Sequence, residues 1–268
     1  MQHLDLTILS SSFTINTSDD LMNDALEQLW EPFLGSRHTP SLTVVVMKTQ
    51  DGWTVQGMGE PSLENSPWKT LIEIRNKLVA AALEKATEIL DLHAAVVVRS
   101  GSALLLVGDP YAGKTSLAME LVTRDWSLFS DDVAPIKSGS GKVLPFPKPL
   151  GIKLRPWGRY SRYWKRPPSW APKEDEAFLV PATSLVGTDL HPATIDHVVV
   201  LNFREGAGAE LAESTVAETT ALCGRQLRDV DQDKLGLLAG VCGRAHCARL
   251  TYGSDHQAGR RLQAFTAR

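Results

Sequence analysis

The sequence has little cysteine, no excess of charge of one sign and no long hydrophobic run. Its 268 residues include three cysteines, and an odd number of them favours free thiols over a disulfide framework. The formal net charge of -3 argues against a surface built wholly for nucleic acid or anionic lipid. No apolar run approaches the roughly 20 residues that a membrane helix needs, and the first residues, MQHLDLTILSSSF, lack the cationic start of a secretory signal. We therefore expect a cytoplasmic protein that is not bound to a membrane.

Two of the cysteines lie close to a histidine in the sequence. Cys242, His246 and Cys247 have a spacing that suggests a metal site. A structural zinc site needs four ligands, and no second pair of Cys or His has suitable spacing. Zinc is therefore the less favoured interpretation of these residues.

Residues 1–65 predict a small β-rich subdomain. The alternating run LDLTILSSSFTI is followed by TVVVMKTQDGWTVQGM, in which Asp51 and Gly52 are typical of a tight hairpin turn. We expect an antiparallel sheet here. A packing role is the favoured interpretation, with a regulatory or docking role as the alternative.

Residues 66–268 predict an α/β domain with a mixed, mainly parallel sheet. Ser66 and Pro67 are a cap and a first-turn proline for a helix over WKTLIEIRNKLVAAALEKATEIL. The runs AAVVV and ALLLVG, separated by a short turn at Ser100 and Gly101, predict two adjacent buried strands. SLAMELVTR predicts a helix, WSLFSDD and HVVVLNF predict further strands, and the last sixty or so residues predict mainly helices with a short strand near ARLTYG.

A basic, aromatic segment rich in proline occupies residues 145–168. Because prolines interrupt regular structure, we expect a long loop. We expect residues 148–166 to dock an acidic peptide or small protein, and the alternative is a solvated loop folded on the sheet. The cations and aromatics of the segment are Lys148, Lys153, Arg155, Arg159, Arg162, Lys165 and Arg166, with Trp157, Tyr160, Tyr163 and Trp164.

The stretch GDPYAGKTS carries the strongest functional signal. It meets the phosphate-loop pattern G-x-x-x-x-G-K-[ST] between a predicted strand and a predicted helix, so that consecutive N–H groups can face an anion. We expect Lys114 to reach the β and γ phosphates of ATP and the Thr115 hydroxyl to bind Mg²⁺. Pro110 removes one donor, and the bulky Tyr111 is expected to shape access to the γ-phosphate. The predicted nucleotide-binding residues are Gly108, Asp109, Pro110, Tyr111, Ala112, Gly113, Lys114, Thr115 and Ser116.

Two carboxylates end the strand that follows the phosphate loop. Asp131 and Asp132 are predicted to end a strand that lies beside the phosphate-loop strand, at the carboxyl edge of the sheet, where open parallel sheets bind ligands. One carboxylate can hold Mg²⁺, and the other can take a proton from an attacking hydroxyl. The alternative is a turn that begins at the pair. His93 starts the AAVVV strand, and by itself such a histidine is more often a cap or a hydrogen-bonded polar group.

The segments LHAAVVV, ALLLVGDPYAGKTSLAMEL and WSLFSDDVAPI, in this order and spacing, resemble the catalytic core of HPr kinase/phosphorylase and its relatives from peptide-modification and polysaccharide gene clusters. The resemblance covers about residues 90 to 155. It implies a P-loop kinase core in which Asp131 is the catalytic base, His93 is its active-site partner and Asp132 is the neighbouring, metal-binding carboxylate. The glycine-arginine signature of HPr kinase itself is missing downstream, so the biosynthetic relatives match better.

Together these observations predict an ATP- and Mg²⁺-dependent kinase that phosphorylates a hydroxyl, most simply a serine of a peptide or small protein. Lys114, Asp131 and His93 are the predicted catalytic residues. The alternatives are a kinase for a sugar-type small molecule and a nucleotide-gated binding module without transfer. Nucleic acid is not the expected partner, and the relatives suggest a homo-oligomer.

Overall fold

The computed structural model describes residues 1–35, 40, 42–153, 158, 163–164, 167–173, 176–185 and 190–267. Contacts divide the chain into two compact units. The first comprises Met1–Thr87 with Lys148–Ser184, and the second comprises Glu88–Pro147 with Leu185–Arg268. This division differs from the predicted boundary at residue 65.

The first unit contains a five-stranded sheet in the order β1-β2-β3-β4-β5. The pairing of β2 with β3 is parallel and the other three pairings are antiparallel, so the prediction of a purely antiparallel sheet was wrong. The physical reason is a helix, α1, which connects β2 to β3 and which the sequence analysis missed. The elements are β1 (Gln2–Ile8), β2 (Ser11–Thr17), α1 (Asp20–Trp30), β3 (Leu42–Thr49), β4 (Gly52–Gln56) and β5 (Ser62–Glu64).

Helix α1 has both a start signal and a buried face. The Asp19 carboxylate accepts a hydrogen bond from the Met22 N–H at 2.9 Å, which caps the helix. Met22, Leu26 and Leu29 recur at helical spacing and are buried. The predicted hairpin at Asp51 and Gly52 is confirmed, with Thr49 opposite Gly52.

Helix α2 (Pro67–Lys85) is shorter than predicted. The prediction carried it to Leu90, but Ile89–Leu92 form strand β6. The helix packs on β4, β5 and the strand β12 (Ala177–Val180), which explains why it belongs to the first unit. Strand β12 pairs with β11 (Leu150–Lys153). The predicted loop over residues 145–168 therefore contains a strand, and most of its cations and aromatics lie outside the described residues.

The second unit is built on a six-stranded sheet in the order β14-β15-β13-β8-β7-β9, whose strands are β7 (Ala94–Arg99), β8 (Ser102–Val107), β9 (Ser127–Ser130), β13 (Thr194–Phe203), β14 (Glu210–Glu213) and β15 (His246–Tyr252). Strand β13 pairs in parallel with β8 and β15. The other three pairings are antiparallel, so the sheet is mixed and the prediction of a mainly parallel sheet was wrong. The cause is the tight turn at Ser100 and Gly101, which folds β7 and β8 into a hairpin.

Among the described residues, four helices accompany this sheet, and β10 (Ala134–Lys137) pairs with β6 beside it. Helix α3 is the one predicted after the phosphate loop, and the three others confirm the mainly helical carboxyl-terminal region. They are α3 (Lys114–Val122), α4 (Val216–Gly224), α5 (Gln232–Arg244) and α6 (Asp255–Phe265). Across the described part of the chain, every helix is too short or too polar to cross a membrane.

A buried histidine makes the second unit sensitive to acid. His197 on β13 is buried against Phe265, and burial, reinforced by the neighbouring His246, lowers the pKa of His197 from 6.5. His197 therefore becomes protonated at a higher pH in the unfolded chain than in the folded chain. The stability that neutral His197 contributes is present above about pH 6.5 and is lost as the pH falls through the folded-state pKa.

Replacing His197 by Phe is expected to remove this part of the pH dependence. The free energy of unfolding of His197→Phe, relative to the wild type, should rise as the pH is lowered from about 7.5 to 5.5. Chemical denaturation at several pH values measures it, with the exposed His3→Phe as the control. A difference between His197→Phe and wild type that does not change with pH would contradict the assignment.

Candidate active site

The glycine loop, residues 108–113, joins β8 to α3 as the sequence predicts. A side chain at Gly108 would meet the Ala112 Cβ at 3.0 Å and the Leu201 carbonyl oxygen at 3.3 Å. Gly113 has φ of +85° and ends the loop at the start of α3, where a side chain would collide with the Tyr252 hydroxyl. Both glycines are therefore required by the packing of the loop.

The exposed tip of the loop holds a tyrosine in an unusual conformation. Tyr111 has φ of +67°, and 98% of its surface is exposed. A bulky residue in the left-handed region is uncommon and is typical of a strained functional loop. Its predicted effect on access to the γ-phosphate stays a prediction.

Tyr252 holds the glycine loop in place through a hydrogen bond. Its hydroxyl donates a hydrogen bond to the Ala112 carbonyl at 2.7 Å, and its buried ring contacts Phe203 edge to face. Burial raises the pKa of Tyr252, so the phenol is neutral and able to donate. The residue was missed because nothing in ARLTYG distinguishes this tyrosine from an ordinary strand residue.

Tyr252→Phe is expected to loosen the glycine loop without removing the ring. Loss of the hydrogen bond should lower the free energy of unfolding by about 1 kcal/mol. Thermal unfolding measures this, and Phe203→Leu, which alters the ring contact but leaves the hydroxyl, is the matched comparison. If Tyr252→Phe unfolds like the wild type, the hydroxyl does not support the loop.

Lys114, the first residue of α3, turns its side chain back into the glycine loop. Its ammonium donates to the carbonyl of Gly108 at 2.6 Å and to that of Asp109 at 3.1 Å. Only 7% of the residue is exposed. Burial lowers the pKa of Lys114, while the carboxylates of Asp132 and Asp109 act in the opposite direction. The ammonium is thus a buried positive charge that lies near carboxylates.

The donors at the start of α3 fit a triphosphate. The first N–H groups of a helix lack partners within the helix and lie at its positive end. Here they belong to Lys114, Thr115 and Ser116, and the last two also carry half-buried hydroxyls. Two of the three ammonium hydrogens of Lys114 have loop carbonyls as acceptors, and the third is suited to a phosphate oxygen.

The acid pair and His93 lie at the same edge of the sheet as the glycine loop. Strand β9, which ends before Asp131, pairs with β7 rather than with the glycine-loop strand β8, so the expectation that the pair follows the adjacent strand was wrong. Because β7 is antiparallel to both neighbours, its start lies beside the ends of β8 and β9, where Ala94 pairs with Val107 and Val96 pairs with Ser130. His93, Gly108 and Asp131 therefore converge.

His93 is held in one tautomer by the backbone. Its Nδ1 lies 2.8 Å from the Asp132 carbonyl oxygen. A carbonyl can only accept, so Nδ1 carries the hydrogen and Nε2 of the neutral ring is an acceptor. This contact joins His93 to the acid pair through the backbone of Asp132.

The two carboxylates have different surroundings. Asp131 is 5% exposed, whereas Asp132 is half-buried, acts electrostatically on Lys114 and borders a pocket of about 330 Å³. The pocket is also bordered by Asp91, His93 and residues 225–228. Asp132 therefore both borders the pocket and carries a charge that acts on Lys114.

Sequence analysis missed residues 225–228, which connect the elements of the site. The Gln226 carbonyl accepts from the His93 N–H at 2.8 Å, and its side-chain amide donates to the Asp109 carboxylate at 2.9 Å. Burial raises the pKa of Asp91, and the charge of Arg228 opposes this. The run RQLR between two helices matches no motif, so only the fold could identify it.

The three cysteines lie together in the hydrophobic core of the second unit. Cys242 forms side-chain hydrogen bonds with Cys223 and Cys247, and the bond with Cys223 is the main reason that its pKa is raised to about 11. All three thiols are free. Within the described ranges, no group of three or more His, Cys, Asp or Glu side chains is arranged to hold a metal ion.

Comparison with known proteins adds little. No protein-family model and no curated protein matches the chain. Among solved structures, the HPr(Ser) kinase/phosphatase from Coxiella burnetii is similar at 11% sequence identity and a TM-score of 0.33, over 66% of this chain and 99% of that chain.

Proposed function

We propose that this protein is a phosphotransferase that moves the γ-phosphate of ATP to a hydroxyl, most simply that of a serine in a peptide or small protein. The observation that carries the proposal is the convergence of Lys114, the acid pair and His93 at one edge of the sheet, with Lys114 already turned into the glycine loop. A glycine turn with a purely structural role has no need for a buried ammonium near two carboxylates.

The glycine loop and the start of α3 would bind the triphosphate. Backbone N–H groups of Lys114, Thr115 and Ser116 would donate to phosphate oxygens, and the Lys114 ammonium would donate to the β and γ phosphates. A phosphate there would also offset the cost of burying the ammonium. The Thr115 hydroxyl and the Asp132 carboxylate would hold Mg²⁺, which when bound neutralises charge on the phosphates.

The two carboxylates of the acid pair would have different roles, as the sequence predicts. Asp132 lies close enough to Lys114 to act on its pKa, which supports its role beside the phosphates. Asp131 would take the proton of the attacking hydroxyl, and His93 would keep the adjacent backbone in place through Asp132. The acceptor oxygen forms a bond to the γ-phosphorus, the bond to the β–γ bridging oxygen breaks, and the products are ADP and a phosphate ester.

The acceptor class is tested by mass spectrometry. Serine peptides, free sugars and the protein alone are incubated with MgATP, and the mass of one added phosphoryl group is sought in each. The proposal predicts a phosphorylated peptide, formed only when Mg²⁺ is present. Phosphorylation of sugars alone would replace the peptide acceptor by a small molecule, and ATP binding with no phosphorylated product would indicate a binding module.

A further inference from the structure

The pocket beside the acid pair has one wall that is fixed by backbone contacts. Residues 225–228 follow α4 and are tied to the sheet at several points. Leu227 is bridged to Leu92, and the Gln226 carbonyl accepts from His93. Leu227 is buried, whereas Arg225 and Arg228 are exposed at the surface. The wall is thus rigid in its backbone and carries two cations.

The two arginines add positive charge to a pocket that is also lined by carboxylates. Asp91 and Asp132 line the same pocket, and the charge of Arg228 acts on Asp91. Arg225 also lines the pocket. A guanidinium offers planar, paired N–H donors that suit a carboxylate or a phosphate. A neutral acceptor would leave this donor capacity unused.

The same wall is joined to the glycine loop. The Gln226 side chain donates to the Asp109 carboxylate at 2.9 Å, and Asp109 also accepts from Lys114 through its carbonyl. The segment that carries the arginines is therefore linked to the loop that we propose for ATP. An acceptor held by these arginines would lie within the pocket that Asp132 borders.

We infer that this pocket binds the acceptor and selects peptides in which a negatively charged residue lies beside the accepting serine. The inference rests on the proposed function, since it names the acceptor for that site. Arg225 and Arg228 are the specificity-determining residues, and Gln226 is a positioning residue that holds them beside the glycine loop. The volume of about 330 Å³ suits one or two side chains of a peptide.

Two matched peptides test the inference. Each has a single serine in an Ala/Gly background, flanked on both sides by Glu in one peptide and by Gln in the other. Wild type, the double variant Arg225→Gln/Arg228→Gln and the control Arg260→Gln, an exposed arginine on α6, are compared. Both kcat/KM for phosphorylation and peptide affinity without ATP, by fluorescence anisotropy, are measured.

The wild type and the control should prefer the Glu peptide by about tenfold, and the double variant should lose that preference while its KM for ATP is unchanged. Equal use of both peptides by the wild type would overturn the inference. An equal loss of activity toward both peptides in the double variant would also overturn the inference, because it would indicate that the arginines contact the transferred phosphate and not the acidic residue. Selective binding of the Glu peptide without any phosphorylation would support the pocket and refute the kinase proposal.

Discussion

Replacing Asp131 by Asn is expected to reduce phosphoryl transfer by about a hundred- to ten-thousandfold while leaving MgATP binding nearly unchanged. Asn has the size of Asp but cannot accept the proton of the attacking hydroxyl. Asp131 is 5% exposed and follows β9 at the edge where the glycine loop lies, so its loss should affect chemistry more than binding. A large fall in kcat without a fall in nucleotide affinity is the result expected for a catalytic base.

Single-turnover transfer to a serine peptide measures the chemical step, and calorimetry measures MgATP affinity. Asp125→Asn is the matched control, because Asp125 is an exposed residue with φ of +65°, a conformation that Asn also adopts well. The control should retain wild-type turnover. Transfer by Asp131→Asn at the wild-type rate would remove Asp131 from the role of base.

Replacing Lys114 by Met is expected to lower kcat/KM for ATP by about a hundredfold or more. The variant keeps the length of the side chain but removes the ammonium that lies in the glycine loop. Within the described residues, that ammonium donates to the carbonyls of Gly108 and Asp109, so we expect it chiefly to stabilise the charge of the phosphates. Its burial should make the charge more effective there than at the surface.

Release of ADP in the presence of a serine peptide measures this loss. Lys142→Met is the control, since Lys142 is exposed in the same compact unit and lies outside the glycine loop. Thermal unfolding of both variants separates a local effect from loss of the fold. A Lys114→Met protein that is folded and turns over ATP like the wild type would contradict the assignment.

Local signals in the sequence predicted most of the elements around the candidate site. The glycine loop between a buried strand and a helix could be predicted because its glycines recur at a fixed spacing and occupy positions with unusual backbone angles. Gly113, for example, has φ of +85°. The hairpin of β7 and β8 could be predicted from Ser100 and Gly101, both with positive φ. That same hairpin makes the sheet less parallel than expected, because a tight turn can join only antiparallel neighbours.

Long-range pairings could not be predicted in the same way. Strand β9 adds to β7, and β15 lies between β13 and β14, and neither choice is encoded in local periodicity. Gln226 and Tyr252 reach the glycine loop from distant parts of the chain, so their roles depend on the completed fold. Helix α2 was predicted too long because ATEIL continues the apolar spacing of the helix. In the structure, Ile89 and Leu90 instead pair with β10.

The most direct test of this account is a calorimetric titration of MgATP into the intact wild-type chain and into Lys114→Met. The account predicts uptake of one MgATP per chain by the wild type and markedly weaker binding by the variant. Absence of MgATP uptake by folded wild-type protein, or equal affinity in the two proteins, would contradict the central claim that the glycine loop and Lys114 bind the nucleotide.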